Sequence, residues 1–258
     1  LLAKSINNDG YKVAISGVAA DEIYTGYYDH YLQHLEACQN SELFEDNLKN
    51  WNNFIKDNIR NPNFRNSNLY LNNPKYRDHI FDGKNEIKDY LVEANDYNFS
   101  ENEYSKDILK NRMLNELFVE ATPVILCESD FNSMLYSVEN RSPFLNKELM
   151  EFSYSIPSKL LIKNGYGKYI LRKSLGGILN DDVRLDRRKR GFNVSINSIV
   201  NFEDKSVKEF LLDKESKIFE IVKKDKLENL IKEKNIRYHL SKFLFSVGTT
   251  RMFIGKKL

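Results

Sequence analysis

VAISGVAADEIYTGYYDH, residues 13–30, is the stretch that decides the fold of this chain. Its apolar start, Val13 to Ile15, predicts a short buried β-strand, and the pattern from Asp21 to Tyr27 predicts the start of an amphipathic helix. In doubly wound sheets, the carboxyl end of a strand and the amino end of the next helix form the ligand crevice. The sequence therefore predicts an α/β protein with a site at this turn.

Two carboxylates, Asp21 and Glu22, open the predicted helix. Acidic residues are favoured in any first helical turn because they complement the helix dipole, so the pair does not by itself require a ligand. A phosphate could bind near these carboxylates if Mg²⁺ bridged the phosphate to them, since Mg²⁺ takes one or two carboxylates together with phosphate oxygens. The residues alone leave both explanations open.

The charge balance gives no reason to expect nucleic acid as the main partner. The 258 residues carry 39 Lys and Arg against 37 Asp and Glu, a formal charge of +2. One local basic run, Arg184 to Asn193, has too many like charges for a core element and predicts a loop. We expect Arg187 to Arg190 within it to cover phosphates rather than to bind a duplex.

Cysteine usage and hydropathy indicate the compartment. Cys38 and Cys127 are far apart and have no partner at metal-ligand spacing, which favours a reducing environment. The sequence shows neither a signal-peptide pattern nor an apolar run long enough to span a membrane. We therefore expect a cytoplasmic protein with no membrane partner.

The remainder of the chain has the pattern of helices. Helix-like apolar spacing occupies residues 41–60, and a longer pattern from Glu103 to Tyr136 is broken at Pro123 into two helices that we expect to line the core. Further helices are predicted over Leu145 to Tyr154, from Lys168 to a close at Gly176-Gly177, and over Arg237 to Ile254. The pattern predicts no second strand.

Four motifs occur in one order: ISGVAADEIYTGYY (15–28), NSMLYSVENRSPFLNKELMEF (132–152), GYGKYILRKSL (165–175) and DRRKRGFNVSI (186–196). Together they resemble the synthetase domain of the glutamine-hydrolysing asparagine synthetase family. The family forms are Ser-Gly-Glu-Gly-x-Asp-Glu, Glu-x-Arg-x-Pro-Phe-Leu-Asp, Gly-x-x-Lys-x-x-Leu-Arg and a Lys-x-Gly-Phe loop. Each motif alone is weak, but four in order make chance an unsatisfactory explanation.

The resemblance implies an adenine-nucleotide α-hydrolase-like fold with a parallel sheet. Residues 1–258 would be the C-terminal, predominantly helical part of one synthetase domain. Two parts of the family architecture are absent from the sequence: the nucleotide-binding Ser-Gly-Gly-x-Asp-Ser loop and the glutaminase half with its N-terminal Cys. We therefore expect a fragment or one half of a split enzyme, inactive by itself.

The resemblance also implies a reaction in which ATP adenylates a carboxylate, pyrophosphate leaves, and glutamine-derived ammonia displaces AMP. Ser16 and Gly17 would lie against the nucleotide phosphates, and Asp21 would hold Mg²⁺ on the pyrophosphate. Lys168 would neutralise charge that develops on phosphate in the transition state.

The substrate side of the site is implied in the same way. Glu139 and Arg141 would belong to the substrate pocket. The expected partners are ATP, ammonia, the carboxylate acceptor and the missing glutaminase half, and a homodimer remains open.

The chain departs from the family pattern at Val18 and Ala19, where the family has Glu and Gly. The resemblance implies that this Glu is the base that takes a proton from the attacking ammonia. Valine cannot take a proton. Relatives that make β-lactams also replace this Glu and use a Glu from a later helix. Glu128 is our candidate stand-in base, and a helix-surface carboxylate is the open alternative. Asn146 replaces an Asp and is expected to cap a helix.

The acceptor is not decided by the motifs. Aspartate is the family default, but Val18 and Ala19 remove a charge and enlarge the apolar wall. The next residues of the chain supply aromatic hydroxyls and ring faces, and pockets lined by such groups commonly bind sugar rings. They come from Tyr24, Tyr27, Tyr28 and Tyr31. A uronic-acid sugar of a surface polysaccharide is therefore the second acceptor, and a catalytically incomplete remnant or binding module of the same fold stays open.

Overall fold

A computed structural model describes residues 1–81, 83–95, 99–189, 191 and 195–255. The chain forms two compact units. The first comprises residues 1–76 and 100–190, and the second comprises residues 77–99 and 191–258. That residues 1–258 form part of a single synthetase domain stays a prediction.

The sheet has two parallel strands in the described residues, β1 (Val13–Ile15) and β2 (Glu139–Arg141). Val13 pairs with Glu139 and Ile15 with Arg141. The predicted strand and its parallel pairing are confirmed. Strand β2 was not predicted because its three residues, Glu-Asn-Arg, lack the apolar and β-branched side chains that mark strands in a sequence.

The expectation that β1 is a buried, inner strand is wrong for the described residues. Val13 and Ile15 are exposed, the latter by 77%, and β2 is the strand that pairs with β1. Partners in a parallel pair share a face, so Glu139 and Arg141 lie on this same exposed side. In the part of the chain described, the helix Ala121–Met134 contacts β2, and Val13 and Ile15 stay exposed on this side.

Helices account for most of the structure. Those of the first unit are α1 (Leu2–Asn8), α2 (Ala20–Tyr24), α3 (Tyr28–Cys38), α4 (Phe44–Phe54), α5 (Leu69–Asn72), α7 (Ile108–Phe118), α8 (Ala121–Met134), α9 (Lys147–Ser155), α10 (Tyr169–Ser174) and α11 (Asp181–Arg184). Those of the second unit are α6 (Lys84–Lys88), α12 (Ile196–Ile199), α13 (Lys205–Leu212), α14 (Lys224–Leu230) and α15 (Tyr238–Gly255). The 3-10 helices are Lys56–Asn58, Pro62–Arg65, Asp78–Phe81, Pro143–Leu145, Ser158–Leu160 and Lys217–Glu220.

Helix α3 is the central element of the first unit. It packs against α4, α5 and α7, and both Leu32 and Leu35 are fully buried. Trp51 and Ile55 from the α4 segment join this core, which confirms the helix predicted within residues 41–60. Asn146 accepts a hydrogen bond from the N–H of Leu149 at 3.1 Å, so it caps α9 as expected.

The two helices predicted around Pro123 exist, but the break lies at Val119 and Glu120. Pro123 is in the first turn of α8, where a missing N–H leaves no hydrogen bond unmade. Helix α7 lines the core as expected. Helix α8 does not, because Phe131 and Met134 are exposed and no element among the described residues covers that side.

The second unit has its own apolar core, in which α14 and α15 contribute fully buried leucines such as Leu227 and Leu240. Helix α15 matches the last predicted helix. Among the described residues, no helix is both long and apolar enough to cross a membrane. The predicted loop from Arg184 to Asn193 is irregular over 185–189, and Arg190 and residues 192–194 lie outside the described residues.

Candidate functional site

The site begins where the two parallel strands end together. The N–H of Ser16 donates to the carbonyl of Arg141 at 2.8 Å, and the hydroxyls of Ser16 and Ser142 are 2.9 Å apart. The chain then turns through Gly17 and Ala19 into α2, with Ala19 in the left-handed region at φ 74°. The carboxyl ends of β1 and β2 therefore lie side by side below the start of α2.

Asp21 lies in the first turn of α2 between two lysines. Its Oδ1 is 2.6 Å from Lys168 Nζ, and its Oδ2 accepts a hydrogen bond from Lys189 Nζ at 2.5 Å. Burial acts to raise the pKa of Asp21, but the two ammonium groups outweigh it and hold the pKa below the ordinary carboxyl value. The carboxylate is therefore charged and clamped at neutral pH.

The acidic pair of the sequence divides into two roles. Glu22 is buried and accepts a hydrogen bond from Tyr27 Oη at 2.5 Å. Burial and the Glu22 carboxylate raise the pKa of Tyr27, so its hydroxyl keeps its proton. Asp21 therefore faces the site, and Glu22 is a structural residue within the fold.

Lys168 is positioned by a tight approach of two backbone segments. It adopts φ 56° as the N-cap of α10, and its N–H donates to the carbonyl of Tyr24 at 2.9 Å. The preceding N–H, of Gly167, donates to Tyr31 Oη at 2.8 Å. A Cβ on Gly167 would lie 2.5 Å from the carbonyl of Thr25, so only glycine fits here.

A cavity of about 670 Å³ opens at these side chains. Its wall combines the α2 turn, the start of α10 and the basic loop. The lining residues are Asp21, Thr25, Gly26, Tyr31, Gly167, Lys168, Arg172, Asp182, Val183, Asp186, Arg187, Arg188 and Lys189. Such a volume fits a small-molecule site with a few fixed polar groups.

A buried ionic cluster joins α3 and α7 to Glu101 and Glu120, which lie outside both helices. Arg112 makes ion pairs with Asp29, Glu101, Glu116 and Glu120 at 2.5–3.3 Å. A neighbouring pair, His30 Nε2 and Glu116 Oε2, is 2.7 Å apart. Burial acts to lower the pKa of His30, but Glu116 and Asp29 raise it above the ordinary value.

Asp29, His30 and Glu116 are a group whose ligand atoms lie within 4.8 Å of one another, as a metal ion would require. The guanidinium of Arg112 is already paired with two of these three side chains. It supplies the positive charge that a cation would bring. The cluster is therefore a structural network of the fold.

The structure brings together some of the predicted site residues and separates others. Asp21 and Lys168 meet in the cavity. Ser16 and Gly17 lie at the strand end and outside its described lining. The remaining predicted residues are all exposed: Glu128 on α8, and Glu139 and Arg141, which form a 2.9 Å ion pair on the open face of β2.

Lys189 is the site residue whose individual role sequence reasoning missed. It was expected only as one of several basic residues that cover phosphates, whereas it is the second partner of Asp21. The Lys-x-Gly-Phe motif, which begins at Lys189, was the signal that could have singled it out.

A model of the asparagine synthase family matches residues 1–251. The chain belongs to the asparagine synthase family. It is similar to the glutamine-hydrolysing asparagine synthetase 1 of Bacillus subtilis strain 168, with 44% identity over 72 residues. That match covers 28% of this chain and 11% of the relative, and no solved structure matches. The family resemblance seen in the motifs is confirmed.

The residues of this asparagine synthase-family chain fit a magnesium-bound phosphate. Mg²⁺ takes one or two protein carboxylates and fills its other positions with phosphate oxygens and water. Asp21 offers one such carboxylate, and Lys168 and Lys189 offer positive charge to the phosphate oxygens. Each Asp21 oxygen has a second lone pair beside the one that faces its lysine, and through it Asp21 would hold the ion, which would shield the phosphate charge.

Proposed function

We propose that this chain is the synthetase part of an ATP-dependent, glutamine-hydrolysing amidotransferase. It would adenylate a carboxylate with release of pyrophosphate and then form an amide with ammonia as AMP leaves. Family membership supports this reaction class. The observation that carries it is the placement of Asp21 between Lys168 and Lys189 in a cavity at the α2 turn that follows β1.

The two lysines have a defined task in this proposal. As the bond to pyrophosphate breaks, negative charge grows on the departing oxygens, and ammonium groups at fixed positions stabilise that charge. Asp21 orients both ammonium groups before the nucleotide binds. Because the ion pairs already exist, the site loses little free energy to reorganisation when an anion arrives.

The acceptor remains aspartate or a uronic-acid sugar in this proposal. Val18 packs against the apolar cluster that contains Ile23 and Tyr24, so the position of the family Glu carries no proton acceptor. Of the four tyrosines that favour a sugar, Tyr31 is the one among the described lining residues. Burial raises its pKa to about 12, so its hydroxyl stays neutral, and that hydroxyl already accepts a hydrogen bond from the Gly167 N–H and donates one to the carbonyl of Gly165.

The proton acceptor for ammonia must be a group other than residue 18, which is valine. Glu128, the proposed stand-in base, is exposed on α8 and does not line the cavity. Two further carboxylates, Asp182 and Asp186, do line it. A catalytically incomplete remnant is the second candidate function, because both Val18 and the position of Glu128 favour it.

We also propose that the cytoplasmic enzyme includes the glutaminase part and the nucleotide-binding loop. The aligned segment is a small fraction of its relative, which supports a larger assembly. The open face of β1 supports it as well, since parallel strands are usually covered on both faces. Val13 and Ile15 would then become buried.

The full-length gene product tests the proposal. We expect pyrophosphate and AMP to form when ATP, Mg²⁺ and ammonia are supplied with either L-aspartate or D-glucuronate, with one acceptor strongly preferred. Glu128→Gln in the same assay tests the stand-in base, which requires a large loss of amide formation. A full-length protein that forms no pyrophosphate with either acceptor would support the remnant instead.

A further inference from the structure

Arg187 is fixed in the cavity wall by two aromatic rings. Its guanidinium carbon lies 3.8 Å from the centre of the Tyr166 ring and 4.1 Å from the centre of the Phe54 ring. Its Nε donates to the carbonyl of Asn164 at 3.3 Å. Stacking on rings is typical of the planar guanidinium and restricts its rotation. We call these contacts the Phe54–Arg187–Tyr166 clamp.

The clamp leaves the terminal nitrogens of Arg187 available. Among the described residues, neither Nη1 nor Nη2 has a hydrogen-bond or ion-pair partner, and Arg187 lines the same cavity as Asp21 and Lys168. A terminal guanidinium edge of this kind presents two parallel N–H donors. That geometry matches the two oxygens of a carboxylate or phosphate.

Each of the other two described guanidinium groups of the lining uses two of its three nitrogens on the protein. Arg172 donates from Nε to the carbonyl of Gly167 at 2.9 Å and from Nη1 to the carbonyl of Arg184. Arg188 holds Asp186 with two hydrogen bonds at 2.8 and 3.0 Å. Among the described arginines of the lining, Arg187 is therefore the one that leaves both terminal nitrogens unused.

We propose that Arg187 is an oxyanion-binding residue of this cavity, which takes a carboxylate or phosphate group of a substrate in a two-point hydrogen bond. The inference rests on the proposed function for the identity of those substrates. The clamp orders the side chain before binding, so less conformational entropy is lost when the oxyanion arrives. A lysine would keep the charge but lose both the fork and the planar stacking.

Calorimetric titration of the full-length protein tests this assignment with three probes: inorganic pyrophosphate with Mg²⁺, L-aspartate and D-glucuronate. We expect Arg187→Lys to raise the Kd of the probe that Arg187 binds by about 10- to 100-fold, as for loss of a charged hydrogen bond. Phe54→Leu loosens the clamp without altering the donors and should raise the same Kd by less. Phe54 is partly exposed, so this variant should fold.

Lys56→Ala is the matched control. It removes another cation–ring contact, in which Lys56 Nζ lies 5.9 Å from the Trp51 ring centre, and Lys56 does not line the cavity. Its Kd values should equal those of the wild type. A Kd raised by Arg187→Lys for pyrophosphate alone assigns a nucleotide phosphate, and one raised for aspartate or glucuronate alone assigns the acceptor carboxylate.

Limited trypsin digestion separates binding from a purely structural role. Phe54→Leu changes no tryptic site, so cleavage after Arg188 and Lys189 reports loop order directly. Unchanged Kd values for all three probes in Arg187→Lys would overturn the inference, as would a wild type that binds none of them. If Arg187→Lys weakened binding of all three probes equally and trypsin also cleaved this loop faster, the role of Arg187 would be structural and the inference would be overturned too. A wild type that binds a probe through Arg187 but never turns over ATP would defeat the proposed function alone.

Discussion

Lys189 Nζ lies 2.5 Å from Asp21 Oδ2, although 168 positions separate the two residues in the chain. Lys168 reaches the other oxygen of the same carboxylate from the start of α10. Two distant segments of the first unit thus converge on one acidic side chain. An incoming phosphate would find two lysines already gathered by Asp21.

Replacement of Asp21 by Asn should reduce pyrophosphate release by about a hundredfold or more in the full-length protein, the scale of a lost electrostatic stabiliser. The amide cannot hold two ammonium groups or a metal ion as a carboxylate does. Rates of pyrophosphate formation at saturating ATP measure the effect. Asp46→Asn, on the exposed side of α4, is the control and should keep the wild-type rate. Equal rates for the two variants would remove Asp21 from the mechanism.

Lys168→Ala and Lys189→Ala should each reduce pyrophosphate release by about a hundredfold, because each removes a positive charge from the same phosphate environment. Their effects should not multiply in the double variant, since both side chains act through Asp21 and the same anion. A double-mutant cycle on kcat measures this coupling. Fully multiplicative losses would show that the lysines act independently.

Gly167→Ala should destabilise the protein by about 1–3 kcal/mol, the range of overpacked cores. The new Cβ would lie 2.5 Å from the carbonyl of Thr25 and 2.9 Å from Tyr31 Oη, so the segment that carries Lys168 must move. Gly248→Ala is the matched control in α15, where nothing lies within 4 Å of the added carbon. It should increase the free energy of unfolding by about 0.5–1 kcal/mol. Urea unfolding of both variants gives the comparison, and the same sign for both would contradict it.

Arg112→Met should cost about 3–5 kcal/mol of unfolding free energy, because it leaves buried carboxylates without their shared cation. Two of these, Asp29 and Glu116, are almost completely buried. Lys147→Ala breaks an exposed ion pair with Glu151 on α9 and should have no measurable effect. Chemical unfolding reports both values. A small loss in Arg112→Met would mean that the buried carboxylates are protonated.

His34 should make the protein less stable in mild acid. Burial is the largest cause that lowers its pKa, to about 4, while its Nδ1 contacts the carbonyl of Ser158 at 3.0 Å. The folded state therefore keeps His34 neutral at a pH where the unfolded chain binds a proton. This contribution is complete above the ordinary pKa of about 6.5 and is lost as the pH falls toward 4, up to about 3 kcal/mol.

The pH dependence is measured as the free energy of unfolding at several pH values between 7.5 and 4. His34→Leu cannot titrate, so its curve should be flatter than that of the wild type over this interval, whatever its absolute stability. Parallel curves would show that other groups account for the acid sensitivity. Asp107 is the charged side chain that also acts on His34 and tends to raise its pKa, so Asp107→Asn should steepen the wild-type curve.

Local sequence determined the family and the first elements of the fold. The strand–turn–helix at residues 13–30, the cap at Asn146 and the last helix follow from patterns that span a few turns of chain. Asp21 and Lys168, which meet in the cavity, were singled out for the same reason, because each lies within a short motif of fixed spacing. These features depend on neighbouring residues along the chain, which the sequence displays directly.

Only the tertiary structure decided which distant side chains meet. Lys189 reaches Asp21, Arg187 is clamped by Phe54 and Tyr166, and β2 forms from a segment without strand-forming residues. The exposed sides of β1 and α8 could not be predicted either. An apolar pattern indicates which face of an element favours burial, but it does not show whether another element covers that face. Contacts across the fold depend on how whole elements pack. The free energy of that packing is a property of the assembled chain rather than of any local stretch.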